Sequence, residues 1–186
     1  MRKIVSGLFI TLDGVVEAPE RWNPPFYGPE MNEDVQAQLA ASDTHLYGRR
    51  SYELFRSAFT GPARERIGHA ELMNTTPKIV VSTTIDEADW GPTTVIRDHV
   101  AARLAELKQQ PGANINVGAS PTLVRFLLQE GLLDELNLHL HPLVLGEGKR
   151  LFDGFAAKVP LHLLESKRHS TGVLALRYTP APTEGA

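Results

Sequence analysis

The stretch Asn114-Ile115-Asn116-Val117-Gly118-Ala119-Ser120-Pro121-Thr122-Leu123-Val124, with Leu136-Asn137-Leu138-His139-Leu140-His141 following it, decides the fold. Asn114 to Val117 suits a short buried strand, and Gly118-Ala119 turns out of it. Ser120 stands where a helix N-cap is favoured, and Pro121 takes the first helical position, where a missing N–H costs nothing. Thr122 to Glu130 continues as helix, with Gly131 as its exit. From Leu136 to His141 apolar and polar residues alternate strictly, the period of a strand with one apolar face. Strand, helix and strand in succession point to a layered α/β sheet.

The same alternation extends outward in both directions. Ile4 to Thr11 reads as a first strand, followed by a long Pro-rich loop from Asp13 to Pro29, a helix from Met31 to Ala41, and a buried strand from Thr44 to Tyr47 ending at Gly48. Arg50 to Phe55 and Arg64 to Met73 read as helical pieces, and the β-branched run Lys78 to Ser82 as a central strand. Thr93 to Ile96 is a strand and Val100 to Gln109 a helix stopped by Pro111-Gly112. Leu161 to Lys167 and Val173 to Tyr178 close the fold as an antiparallel pair around Ser170-Thr171-Gly172. Residues 1–180 are expected to form one domain, with 181–186 a flexible tail.

Composition removes several classes of function. The chain has 186 residues, 42% of them hydrophobic, and 19 Lys plus Arg against 22 Asp plus Glu, for a net charge of −3. Such a balance offers no basic footprint for nucleic acid. No apolar stretch approaches the ~20 residues needed to cross a bilayer, and the basic, apolar N-terminus lacks a small-residue cleavage site. The expectation is a cytoplasmic protein that binds neither nucleic acid nor membrane. The absence of cysteine excludes thiolate metal sites and thiol nucleophiles, so redox chemistry here needs a dissociable cofactor.

Three expected strand ends carry small or hydroxylic residues directly before a helix or loop: Gly48-Arg49-Arg50-Ser51, Ser82-Thr83-Thr84 and Gly118-Ala119-Ser120-Pro121-Thr122. Ligands of open α/β sheets settle beyond the carboxyl ends of the strands, where helix N-termini offer free N–H groups to anions. Together the three turns can form a phosphate cradle, with Arg49 and Arg50 as countercharge. Trp22, Phe26 and Tyr27 interrupt a polar loop; they either stack on a planar ligand or pin the loop. His139 and His141 share a strand face, but two imidazoles without a third ligand make no metal site, and none is assigned. Gly146-Glu147-Gly148-Lys149-Arg150 lacks the ending of an NTPase loop and reads as a connecting turn.

Taken together, Thr11-Leu12-Asp13-Gly14, Leu46-Tyr47-Gly48-Arg49-Arg50-Ser51-Tyr52-Glu53, Lys78 to Thr84 and the run from Val117 to Phe152 resemble the dihydrofolate reductase-like family. The branch they resemble is the one related to the C-terminal reductase domain of riboflavin biosynthesis. Within the last run, Gly131-Leu132-Leu133-Asp134-Glu135-Leu136 and Pro142-Leu143-Val144-Leu145-Gly146-Glu147-Gly148 carry the likeness most distinctly.

The resemblance implies a three-layer αβα fold with a mixed, mainly parallel sheet. It also implies NADPH as cofactor, hydride transfer to a small pterin-like or pyrimidine-like heterocycle, and a homodimer to which Leu136 to Leu145 contributes. Carried onto this chain, Gly48, Arg49, Arg50 and Ser51 would hold the adenosine 2′-phosphate or pyrophosphate. Ser82 and Thr83 would line the adenosine, and Gly118, Ala119, Ser120, Pro121 and Thr122 would receive the pyrophosphate. Independently of the resemblance, the loop aromatics Trp22 and Phe26 are the candidates to stack on the substrate. An acid on the first long helix is expected near the substrate ring; Glu30, Glu33 and Asp34 lie there, and Glu33 is taken as the candidate. Asp13 and His139 complete the catalytic set, His139 as a proton relay.

Two departures stand out. The family places two successive glycines, joined by a cis peptide in its well-known members, where this chain has Gly118-Ala119. Val117 replaces the acidic residue typical of riboflavin-pathway reductases, which argues against that pathway's intermediate as substrate. The competing reading is a non-catalytic nucleotide- or flavin-binding module on the same fold.

Overall fold

The computed structural model describes residues 1–62, 64, 68–155 and 158–181. Eight strands form one mixed sheet: β1 (Ile4–Thr11), β2 (Ser42–Gly48), β3 (Lys78–Val81), β4 (Thr93–Ile96), β5 (Asn114–Gly118), β6 (Glu135–His141), β7 (Leu161–Arg168) and β8 (Leu174–Pro180). Their order across the sheet is β4-β3-β2-β5-β1-β6-β8-β7. All neighbours from β4 to β6 are parallel, whereas β8 runs antiparallel to both β6 and β7. The expected α/β fold with a mainly parallel sheet is thus the observed one.

The helices are α1 (Pro29–Ala40), α2 (Arg49–Thr60), α3 (Ala70–Thr75), α4 (Val100–Gln109) and α5 (Pro121–Gln129). The chain steps one way from β1 to β4, then returns between β2 and β1 to form β5 and passes beyond β1 to form β6. Right-handed crossovers in opposite directions place their helices on opposite faces. Leu104 of α4 and Leu123, Val124, Leu127 and Leu128 of α5 therefore pack with Ile4, Leu8 and Ile10 on one face. Leu39 of α1, Tyr52 and Phe59 of α2 and Met73 of α3 pack with Tyr47, Val80 and Trp90 on the other.

Several expectations need correction. Ser120 precedes α5, but its side chain makes no cap; its backbone lies in the left-handed region, and the helix starts without a side-chain partner. Of the helical piece expected over residues 64–73, residues 65–67 lie outside the described residues, and helix α3 begins only at Ala70. Most of the expected tail, 182–186, also lies outside them. Of the segment Leu136 to Leu145 expected to contribute to a homodimer, Leu136, Leu138 and Leu140 lie on β6 between β1 and β8 and belong to the core beside α5, whereas Val144 is exposed. No described helix is long and apolar enough to cross a membrane.

Candidate active site

The strand order β3-β2-β5 sets the three turns side by side at the carboxyl edge of the parallel strands. Two hydrogen bonds tie two of them together. The Gly48 N–H donates to Ser120 Oγ at 3.0 Å, and the Ser120 N–H donates to Ser51 Oγ at 3.0 Å. Neither α2 nor α5 carries a side-chain cap, so their first turns present N–H groups with the positive ends of two helix dipoles. Arg49 and Arg50 are exposed at the start of α2, with Arg49 paired to Glu53 at 3.2 Å.

Gly118 is required by space rather than by dihedral angle. A Cβ there would lie 2.9 Å from Tyr47 Cε1 and 3.1 Å from Phe55 Cε2. The next two residues, Ala119 and Ser120, have φ of 49° and 55°, a conformation that costs a non-glycine residue about 1–2 kcal/mol. The Gly118–Ala119 peptide is trans. Pro121 and Thr122 follow at the helix start. Ser82 is buried, and its Oγ accepts from the Thr84 and Ile85 N–H groups at 3.1 and 3.0 Å. It therefore builds its own turn and has little left for a ligand, whereas Thr83 is exposed.

Asp13 leaves the catalytic set. Its carboxylate accepts from Thr11 Oγ1 at 2.6 Å, Gly146 N–H at 2.9 Å and Leu145 N–H at 3.2 Å, with Arg150 Nη2 at 3.5 Å. The Thr11 hydroxyl and the Gly146 N–H hold the carboxyl down at about 2, so it is ionised and its acceptor sites are occupied. It clamps the loop after β1 to the loop after β6. Trp22 and Phe26 likewise serve the loop. Their rings lie 5.0 and 5.5 Å from His141, and the Trp22 indole N–H donates to the Glu17 carbonyl at 2.9 Å.

His141 is held by its surroundings, with Nδ1 2.8 Å from the His139 carbonyl and Nε2 2.8 Å from the Asn23 side-chain amide. His139, two residues earlier on the same face, contacts the edge of Phe9 and the ring of His169. It is 7% exposed, and among the described residues neither ring nitrogen has a hydrogen-bond partner. Burial pushes its pKa down to about 4, against the opposing pull of Asp34. It is therefore neutral near pH 7, and no imidazolium is there to deliver a proton.

The helix carboxylate that reaches this face is Asp34, not Glu33, which is exposed. Asp34 Oδ2 accepts from His169 Nε2 at 2.7 Å, and Oδ1 from Lys167 Nζ at 3.1 Å. Burial raises the Asp34 pKa, but these two donors outweigh it and keep the group below its ordinary value. Beside it a cleft of about 280 Å³ lies between α1 and strands β6 and β8, lined by Asp34, Gln38, Asn137, His139, Lys167 and Arg177 among others. Gln38 bridges Asn116 at 2.6 Å and Asn137 at 2.9 Å across Gly7, where a Cβ would meet the Gln38 amide at 2.7 Å.

Register connects cleft and cradle. Gly7 pairs with both Gly118 and Asn137, and adjacent strands are about 4.8 Å apart, so the end of β5 and the cleft wall are separated by roughly 10 Å and one strand. Spacing alone points to part of this site, since Glu30, Asp34 and Gln38 recur every fourth residue and share a helix face. Nothing local marks His169, which sits in the turn between β7 and β8.

A mainly parallel sheet whose carboxyl edge presents two uncapped helix starts, beside a polar cleft under the first helix, defines an α/β domain of the dihydrofolate reductase-like fold. A dihydrofolate reductase from Enterococcus faecalis, complexed with NADP(H), superposes with a TM-score of 0.60 at 14% identity, over 96% of this chain and 94% of that one. A protein of Shewanella sp. PV-4 provisionally assigned to riboflavin biosynthesis superposes at 0.78 with 18% identity, over 97% and 99% of the two chains. In sequence, the Bacillus subtilis protein YyaP is 32% identical over 184 residues, covering 95% of this chain and 94% of its own. The chain belongs to the RibD C-terminal domain family, whose model matches residues 2–175. That membership supports a reductase-like role.

Proposed function

We propose that the protein is an NADPH-dependent reductase of a small, flat heterocycle of the pterin or pyrimidine kind. The observation that carries this reading is the cross-linked pair of turns, in which Gly48, Ser51 and Ser120 bond to one another beside Arg49 and Arg50. The N–H groups opening α2 and α5 suit a pyrophosphate. The two guanidinium groups suit the further phosphate that distinguishes NADPH from NADH, because they offer paired donors at fixed geometry. When bound, the reduced nicotinamide supplies the hydride.

The substrate ring belongs in the cleft under α1, within one strand of the cradle. Asp34, held ionised, accepts a ring N–H and so fixes the orientation of the heterocycle. Asn137 Oδ1, without a partner among the described residues, is a second acceptor. With His139 neutral and Asp34 ionised, the proton that accompanies the hydride comes from solvent. The homodimer that the resemblance implies would use the hairpin of β7 and β8, where Leu163 and Leu164 are 53% and 50% exposed on the edge strand; the mass in solution tests it.

A non-catalytic nucleotide- or flavin-binding module is the second reading, favoured by the Ala119 methyl group and by the hydroxyls already engaged inside the cradle. Titration of NADPH, followed by nicotinamide fluorescence, tests both. Saturable binding with turnover of a pterin or pyrimidine supports the reductase. Binding without turnover across pterins, pyrimidines and quinones supports the module, and no saturation at millimolar cofactor removes the reductase.

A further inference from the structure

A second chemistry is built into the cleft wall. Asp34, His139 and His169 come from α1, β6 and the turn between β7 and β8, and each offers one ligand atom within 4.8 Å of the others. We propose that these three residues bind one divalent transition-metal ion of the borderline class represented by Zn²⁺, Co²⁺ and Ni²⁺, with its remaining coordination positions open to the cleft.

Geometry supports the donor set. Two ligands each held about 2.0–2.1 Å from an ion lie about 2.9 Å apart at a right angle and about 3.4 Å apart at the tetrahedral angle. Asp34 Oδ2 lies 2.7 Å from His169 Nε2 and 3.5 Å from His139 Nε2, values that bracket both cases. The carboxylate needs only its inner oxygen for this, since the outer one is taken by Lys167 at 3.1 Å.

Hydrogen bonding supports it independently. Among the described residues, both nitrogens of His139 are buried without a partner, and Nε2 of His169 has only the Asp34 carboxylate. Leaving such groups unsatisfied is costly, and each orphan in a folded protein calls for a water, an ion or a function. The ring of His139 cannot turn to solvent, because Phe9 and His169 pack against it. A metal ion would take the place of the proton between His169 Nε2 and Asp34 and would give the buried, unpartnered Nε2 of His139 a partner at the same time.

Two histidines and one carboxylate also form an incomplete shell. Closed structural zinc sites use four protein ligands, whereas three leave room for water or substrate. Here the open side is the cleft lined by Gln38 and Asn137, so a bound ion would present a Lewis acid to whatever occupies it. His141, the sequence neighbour on the same strand face, is no part of the site, since both its nitrogens are engaged elsewhere. The Lys167 charge weakens the site, and micromolar rather than tighter affinity is expected.

The test is titration of the full chain, freed of metal by chelator, with Co²⁺ followed by its visible absorption and with Zn²⁺ by calorimetry. One equivalent is expected, with a raised melting temperature on Zn²⁺ binding. Loss of a group that only orients a metal ligand already costs about 10–100-fold in affinity; His139→Gln, His169→Gln and Asp34→Asn are therefore each expected to weaken binding at least about 100-fold. Circular dichroism checks that each variant is folded, and His162→Ala, on the exposed face of β7, is expected to leave binding unchanged. The proposal fails if wild-type protein shows no saturable Co²⁺ binding at millimolar metal, or if binding survives the paired replacement of His139 and His169. Neither failure touches the cofactor reading, which rests on the turns after β2 and β5, on the other side of β1 from His139.

Discussion

Acid is expected to unfold this protein through two buried imidazoles before its carboxylates take part. His45 is fully buried on β2, and burial first, then the charges of Lys78 and His69, push its pKa from 6.5 down to about 4. His139 reaches about the same value through its own burial. In both cases the unfolded chain takes up a proton that the native fold refuses. Their stabilisation is complete above about pH 6.5 and drains away as the pH falls toward 4. Each refused proton is worth somewhat more than 1 kcal/mol per pH unit. The two together therefore tilt the stability curve by about 3 kcal/mol per unit in the middle of that window, a large share of a typical 5–15 kcal/mol. Asp34 and Asp13 have lowered pKa values and lose their stabilisation only further down. Urea unfolding from about pH 7.5 to about pH 4.5, in the presence of chelator, isolates the histidines. His139→Gln and His45→Gln are each expected to flatten the slope by about one proton. A wild-type slope below one proton across the window, or an unchanged slope in both variants, refutes the reasoning.

Other outcomes test the cradle and the clamp. Replacing Arg49 and Arg50 together with Ala is expected to weaken NADPH by about 10–100-fold, as for lost charge-assisted hydrogen bonds, and NADH far less; equal losses in a binding titration mean that the pair does not read the extra phosphate. Gly118→Ala drives a methyl group into Tyr47 and Phe55, and overpacking of this kind costs about 1–3 kcal/mol. A calorimetric melting temperature lower by roughly 3–10 °C is expected, and an unchanged one contradicts the contact. Asp13→Asn removes the charge that holds the Leu145 and Gly146 N–H groups. Faster proteolysis between Val144 and Lys149 is the expected result, and equal cutting rates in variant and wild type count against a clamping role.

Local chemistry made much of this molecule legible in advance. The alternation from Leu136 to His141, the β-branched run from Lys78 and the turn residues at Gly48, Gly118 and Gly131 locate strands and helix boundaries, because side-chain period and backbone freedom act over a few residues. The same locality places the three turns at strand ends, and in a parallel sheet strand ends share an edge. What local chemistry misassigned were side chains able to choose among partners. Ser120 looks like a helix cap but bonds to the neighbouring turn, and Ser82 looks like a ligand contact but closes its own loop. Asp13 looks like an acid but accepts two N–H groups from a loop far along the chain.

The sequence by itself determined the class of fold, the order of strands and helices along the chain and the position of three turns at strand ends. Only the tertiary structure decided which carboxylate of α1 faces the sheet and that His169 would meet it. It also decided that His139 lies between them without a hydrogen bond. The reason is that a helix face and a hairpin turn separated by most of the chain come together through packing, which no short-range pattern encodes.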